Sequence, residues 1–245
     1  MRALAVVLCA VLFSAPANAN DDELARSILE KADLVRFPAG GFEVTVAITT
    51  NAPDKQREAR KYKILSKGND NTVVMVTEPA AERGQILLMK GRDLWIFLPN
   101  ISQPIRVPLS QRLTGQVANG DLARANFAGD YIPKLVRTEL VEGEPMHVLE
   151  LTAVDRSVTY HRVLYWVRQA NQWPHKAEFY SVSDRLLKTA TYQNYVRLGG
   201  RPRPARIVMR DALREGEESF LEYSELRSRD LPDKIFTKDY LKRLE

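Results

Sequence analysis

Cysteine is almost absent from this 245-residue chain: its one example, Cys9, lies within the first twenty residues. No disulfide can therefore brace residues 20–245, and stability must come from a buried core, which a chain of this length can build as one domain. Histidine is scarce as well. His147, His161 and His175 show no H-x-x-x-H or H-E-x-x-H spacing, so each reads as an ordinary strand residue and no metal site is expected. The chain has no G-x-S-x-G elbow, no Walker loop and no G-x-G-x-x-G turn. The common marks of serine hydrolases, nucleotide hydrolases and dinucleotide enzymes are thus missing, and the expectation is a protein that is not an enzyme and needs no cofactor. Beyond residue 19 no apolar run is long enough for a membrane-spanning helix.

What is present begins with "MRALAVVLCAVLFSAPANAN". Arg2, the apolar stretch Ala3–Phe13 and the small-residue site Ala17-Asn18-Ala19 have the layout of a secretory signal peptide, with cleavage expected after Ala19. Cys9 is followed by further apolar residues, which argues against a lipid-modified N-terminus. Residues 20–245 then carry 35 basic and 31 acidic side chains, a net +4. A mildly basic exported protein can touch an anionic membrane surface, and export excludes nucleic acid as the partner.

Leu24, Ile28, Ala32 and Val35, preceded by Asp21 and Asp22, predict a helix that ends at "FPAGG". From "FEVTVAITT" onward the period changes to two, and short strands follow one another with Gly-, Asn- or Asp-containing turns. Ten to twelve strands are expected, broken by a short helical pattern at Asp121–Phe127. "LPDKIFTKDYLKRLE" closes the chain as a loop and a short helix. No repeat or linker interrupts residues 20–245, so the expected fold is one mostly β domain, a curved antiparallel sheet with helical cover.

"VVMV", "ILLM" and "LWIFLP" depart from the alternation of a half-exposed strand, because both of their faces are apolar. Either helices and loops cover the second face, or a curved sheet holds an apolar ligand there. Met75 and Met89 suit the second case, since thioethers adapt to varied shapes. The basic stretch "RLGGRPRPARIVMR" reads as a hairpin loop in solvent, with contact to an anionic head group or a partner protein as the alternative.

"GRDLWIFLPNISQPIRVP", "GQVANGDL" and the closing "LPDKIFTKDYLKRL" resemble the outer-membrane lipoprotein-sorting protein family, which is similar to the LolA/LolB lipoprotein carriers. The resemblance implies an unclosed β-barrel with helices across its mouth, a periplasmic location, acyl chains of lipid or lipoprotein as cargo, and partnership with a resistance-nodulation-division-type transporter. Trp95 and Phe97 share one face of their strand by alternation. With Met75 and Leu88 they are the expected lining of the lipid cavity. Leu122 and Phe127, in the weakly helical middle segment, are expected at the cavity mouth as a lid that moves when lipid enters. A non-transporting adaptor of a transporter or envelope complex is the alternative function.

Overall fold

The computed structural model describes residues 19–241 except 54, 69 and 125; the expected signal sequence lies outside these residues apart from Ala19. Among the described residues, helix α1 (Ala19–Arg36) leads into a first run of six strands. These are β1 (Phe42–Ala52), β2 (Lys55–Lys67), β3 (Asn71–Glu78), β4 (Ile86–Lys90), β5 (Asp93–Phe97) and β6 (Ile105–Val107). A connecting segment follows with the small ribbon β7 (Arg112–Thr114) and β8 (Val117–Ala118), then helices α2 (Asn119–Ala123) and α3 (Phe127–Asp130). The second run has seven strands. They are β9 (Tyr131–Val141), β10 (Glu144–Ala153), β11 (Arg162–Arg168), β12 (Pro174–Tyr180), β13 (Leu186–Leu198), β14 (Arg201–Asp211) and β15 (Glu218–Ser228). A 3-10 turn, Asp233–Phe236, and helix α4 (Lys238–Leu241) come last.

Both runs are antiparallel meanders, and they join through β1 and β15 into one sheet of thirteen strands, ordered β6-β5-β4-β3-β2-β1-β15-β14-β13-β12-β11-β10-β9. The sheet is open, with β6 and β9 as its two edges. The strands exceed the expected number because β6, β7 and β8 are only two or three residues long. The single middle helix expected at Asp121–Phe127 is two one-turn helices. α2 ends at Ala123, and Asn126 starts α3 by accepting from the Gly129 N–H at 2.9 Å.

Strand alternation sorts the sheet into two faces. Phe42, Val44, Val46 and Ile48 of β1 share one large core with Val74, Leu87 and Leu94 of the first meander and Leu149, Val163 and Tyr165 of the second. Side chains from near both edges of the sheet therefore meet in one interior. α1 lies in it, burying Ala25, Ile28, Leu29 and Ala32, while Leu24 and Leu34 stay exposed. The connecting segment must run from edge β6 to the opposite edge β9, and its Val117, Leu122 and Phe127 join this same core on the way. Gly115, at φ +50° in the β7–β8 turn, lets that ribbon approach the Thr50 and Ser219 side chains where a Cβ would collide.

The second face of the three apolar strands is covered by the chain's own end. Leu65, Val73, Leu88 and Trp95 pair in register across β2, β3, β4 and β5. Together with Ile86 and Phe97 they pack under Leu231, Ile235, Phe236 and Leu241 in a separate cluster.

Candidate functional site

The interior beneath α1 is where helices, connecting segment and sheet converge. Its apolar wall is unusually aromatic. Phe127 stands edge-on to Tyr131 and Tyr165 at centroid distances of 5.4 and 5.5 Å, and Tyr165 meets Tyr192 at 6.0 Å. Burial pushes the hydroxyls of Tyr160, Tyr165, Tyr192 and Tyr223 above the ordinary phenol range, so all four stay neutral.

Two charged residues of α1 point into the same interior. Asp33 accepts from the Ala128 N–H of α3 at 2.8 Å and from Arg36 at 3.3 Å. Burial raises the Asp33 carboxyl to about 6, against the opposing pull of Arg36. The Arg36 guanidinium lies 4.2 Å from the Phe127 ring centroid. Farther along α1, Arg26 donates to the carbonyls of Ala128 and Tyr131. The C-terminal carbonyls of α1 are capped from the far side by Arg203, whose Nη1 donates to Leu34 O at 2.8 Å and Val35 O at 3.0 Å. The basic stretch thus has one buried member with a structural task, while Arg197 and Arg201 remain exposed.

The connecting segment is fixed by two polar knots. Asp121 of α2 accepts from Ala118 N–H (2.7 Å), the Tyr160 hydroxyl and Lys188 Nζ (2.6 Å), and the Asp121 and Lys188 side chains are each only 6% exposed. Asp130, at the end of α3, accepts from Arg92 and Arg124, and Arg124 also reaches Asp70 at 2.9 Å and the Gly91 carbonyl at 2.8 Å. Between these knots lies a void of about 20 Å³, room for about one water, bordered by Arg36, Phe127, Tyr131, Tyr160 and Tyr192. On the other side of Tyr160 and Lys188 a wider groove of about 220 Å³ opens to solvent past Ser110, Gln116 and Leu213.

The residues singled out from sequence fall into two groups. Leu122 and Phe127 are buried in the interior beneath α1, and Phe127 borders its void. Met75, Leu88, Trp95 and Phe97 come together on the opposite face of the sheet, under the C-terminal segment, where Lys238 Nζ lies 4.1 Å from the Trp95 ring centroid. Sequence reasoning missed Asp33, Arg36, Asp121, Lys188 and Arg203. For the first two a signal existed: charged residues at positions 33 and 36 continue the helical phase of Ala25, Leu29 and Ala32, so they enter the buried face. Among the described residues no group of three or more His, Cys, Asp or Glu side chains is placed to hold a metal ion.

A solved LolA superfamily protein from Nitrosomonas europaea is 64% identical to this chain, covering 88% of it and 98% of its own length with a TM-score of 0.85. The chain belongs to the LolA superfamily. A family model described as "Uncharacterized protein" also matches, over residues 68–243. The LolA-superfamily fold is shared with a DUF1329 family protein from Desulfovibrio piger (22% identity, 90% of this chain and 99% of that one, TM-score 0.78). It is shared as well with an outer membrane lipoprotein-sorting protein domain from Vibrio parahaemolyticus (24% identity, 91% and 100%, TM-score 0.76). No curated protein matches this member of the superfamily.

Proposed function

We propose that this protein is a periplasmic, non-enzymatic carrier that takes up acyl chains of lipid or lipoprotein beneath α1 and moves them between envelope membranes. In this reading residues 1–19 are the export signal, cut after Ala19, and residues 20–245 form one carrier domain. The sheet acts as an unclosed barrel whose mouth is crossed by α1 and by the α2–α3 segment, with Leu122 and Phe127 on a cover that moves once its ties at Asp121–Lys188 and Asp130–Arg124 open. An inner-membrane transporter of the resistance-nodulation-division type is the proposed partner, with peripheral contact to an anionic membrane aided by the basic charge. Superfamily membership and the fold shared with a lipoprotein-sorting domain support this.

The observation that carries it is the way α1 is held. Its large fully buried apolar side chains are Ile28 and Leu29, worth about 1.5–3 kcal/mol each, and the two alanines add little. The rest of its attachment is polar, through Arg26, Asp33, Arg36 and Arg203. An acyl chain of about fifteen methylenes gains roughly 12 kcal/mol on burial at ~0.8 kcal/mol per methylene. The apolar hold on α1, roughly 3–6 kcal/mol from Ile28 and Leu29, is smaller than that gain, so an acyl chain can take its place. Met75, Leu88, Trp95 and Phe97 could meet lipid only after the C-terminal segment lifts, so they form a second, separately covered apolar layer.

Native mass spectrometry of protein purified from the periplasm tests the reading. Co-purified lipid or acylated protein is the expected result. A lipid-free protein that instead co-purifies with a transporter, and takes up no added lipid, overturns it in favour of the adaptor.

A further inference from the structure

Arg36 is a buried guanidinium with an incomplete set of partners. It is 7% exposed, and among the described residues its Nε–H has no hydrogen-bond acceptor. Its one carboxylate contact, to Asp33, is a single bond at 3.3 Å rather than a two-pronged pair, and the other Asp33 oxygen is taken by the Ala128 N–H. A buried cation with an unmatched donor is costly, and such an arrangement is stable only if something supplies the missing oxygen.

The other charges around the void are already matched. Asp121 is satisfied by Lys188, Tyr160 and a backbone N–H, and Asp130 by Arg92 and Arg124. The unmet demand on the void's wall is thus for a hydrogen-bond acceptor at Arg36. Arg36 is also placed to stay when α1 moves. It is the last residue of the helix, where Arg203 grips the Leu34 and Val35 carbonyls and Phe37 stacks on Phe42 at 5.5 Å. The N-terminal part of α1 is held by Arg26, which donates to the Tyr131 carbonyl.

We infer that the interior selects acyl amphiphiles with an anionic oxygen head group, carboxylate or phosphate, whose oxygen takes up the unpaired Nε–H of Arg36 while the chain lies along the aromatic wall. This rests on the carrier reading and narrows its cargo. The head group replaces whatever water the void holds, and an anionic oxygen makes a stronger, charge-assisted bond than the hydroxyl or ester oxygen of a neutral head group.

The test compares three probes with one oleoyl chain: oleate, 1-oleoyl-lysophosphatidate and monoolein. Dissociation constants are measured calorimetrically on the signal-free chain. The two anions should bind at least about tenfold tighter than monoolein, the worth of one charge-assisted hydrogen bond. Arg36→Gln should remove that advantage, so that the two anions bind the variant no tighter than monoolein does, and Arg36→Lys should retain part of it. Since removing Arg36 alone strands Asp33, the pair Asp33→Asn/Arg36→Gln is measured alongside, with its melting temperature as the folding control. Tighter binding of only one anion assigns the head group as carboxylate or phosphate. Equal affinity for all three probes overturns the inference, leaves the carrier intact, and makes Arg36 a hydrated internal brace. If the folded wild-type chain binds none of them, the inference and the carrier reading fall together.

Discussion

Asp33 shows how a single side chain can set the acid–base behaviour of a whole helix attachment. Burial disfavours the charge and raises the Asp33 carboxyl to about 6, well above the ordinary aspartate range. A raised acid binds its proton more tightly in the folded state, so its contribution to stability is greatest at low pH. That contribution is lost as pH climbs from about 4 through 6. The shift corresponds to about 3 kcal/mol. Asp33→Asn keeps an acceptor for the Ala128 N–H and removes the titration. The wild-type chain should therefore lose stability relative to Asp33→Asn between pH 4 and pH 6 and run parallel to it above about pH 7. Urea midpoints at half-unit pH steps would show this, and parallel curves throughout would place the Asp33 carboxyl in solvent. Arg203 makes the complementary case. Arg203→Met removes the donor to the Leu34 and Val35 carbonyls and should cost about 1.5–3 kcal/mol, the range for hydrogen bonds to charged groups. Hydrogen exchange in the last turn of α1 should accelerate more than in β1.

At the scale of elements, the covers on the two faces of the sheet can be tested separately. A Cβ built on Gly120 would stand 3.0 Å from the Cβ of Thr159, slightly closer than a disulfide needs, so Gly120→Cys with Thr159→Cys ties α2 to the loop before β11 after a small shift. Residues 20–245 contain no native cysteine to interfere. The oxidised protein should load acyl probe several-fold more slowly than the reduced one. Equal rates would make α2 a fixed plug. Trp95 is half-buried under α4 and capped by Lys238, so Trp95→Ala should cost less than the ~3–5 kcal/mol of a fully buried aromatic. With lipid beneath α1, loading stays unchanged in that variant; lost loading with the fold retained would put lipid under the C-terminal segment instead.

Much of this arrangement was legible in the chain. The doubly apolar strands announced two covered faces, and α1 was legible as a helix, although its buried face runs through Ala25, Ile28, Leu29 and Ala32 and leaves Leu24 of the expected stripe exposed. Which face α1 would choose was not legible, because Val73 and Val74, or Leu87 and Leu88, are chemically alike and only register separates them. The polar knots were equally hidden. Asp121 and Lys188 lie 67 residues apart, and no local pattern pairs them.

For the molecule as a whole, the proposed carrier role requires that α1 and an acyl chain occupy the interior in turn. A variant that weakens several α1 contacts at once, such as Arg26→Ala with Arg203→Met, should leave the interior open to any apolar occupant. It should bind a fluorescent apolar dye more strongly than the wild type in the absence of lipid, and added oleate should displace that dye. Failure of the dye to bind more strongly would show that the sheet collapses rather than opens when α1 loosens.

The joining of the two meanders through β1 and β15 has a consequence for how the chain comes to exist at all. Within each meander every strand pairs with its sequence neighbour, so both can form from local hairpins. The seam between them brings together residues such as Thr45 and Glu225, separated by 180 positions. Contacts that distant form late, because the loop they close carries a large entropy cost. A chain emerging N-terminus first therefore waits as a half-built sheet, with β1 presenting an unpaired flank until β15, the last strand among the described residues, arrives. During that wait the flank is a template for any other strand in reach. A newly made chain is thus exposed to wrong pairing along β1 until the seam with β15 closes.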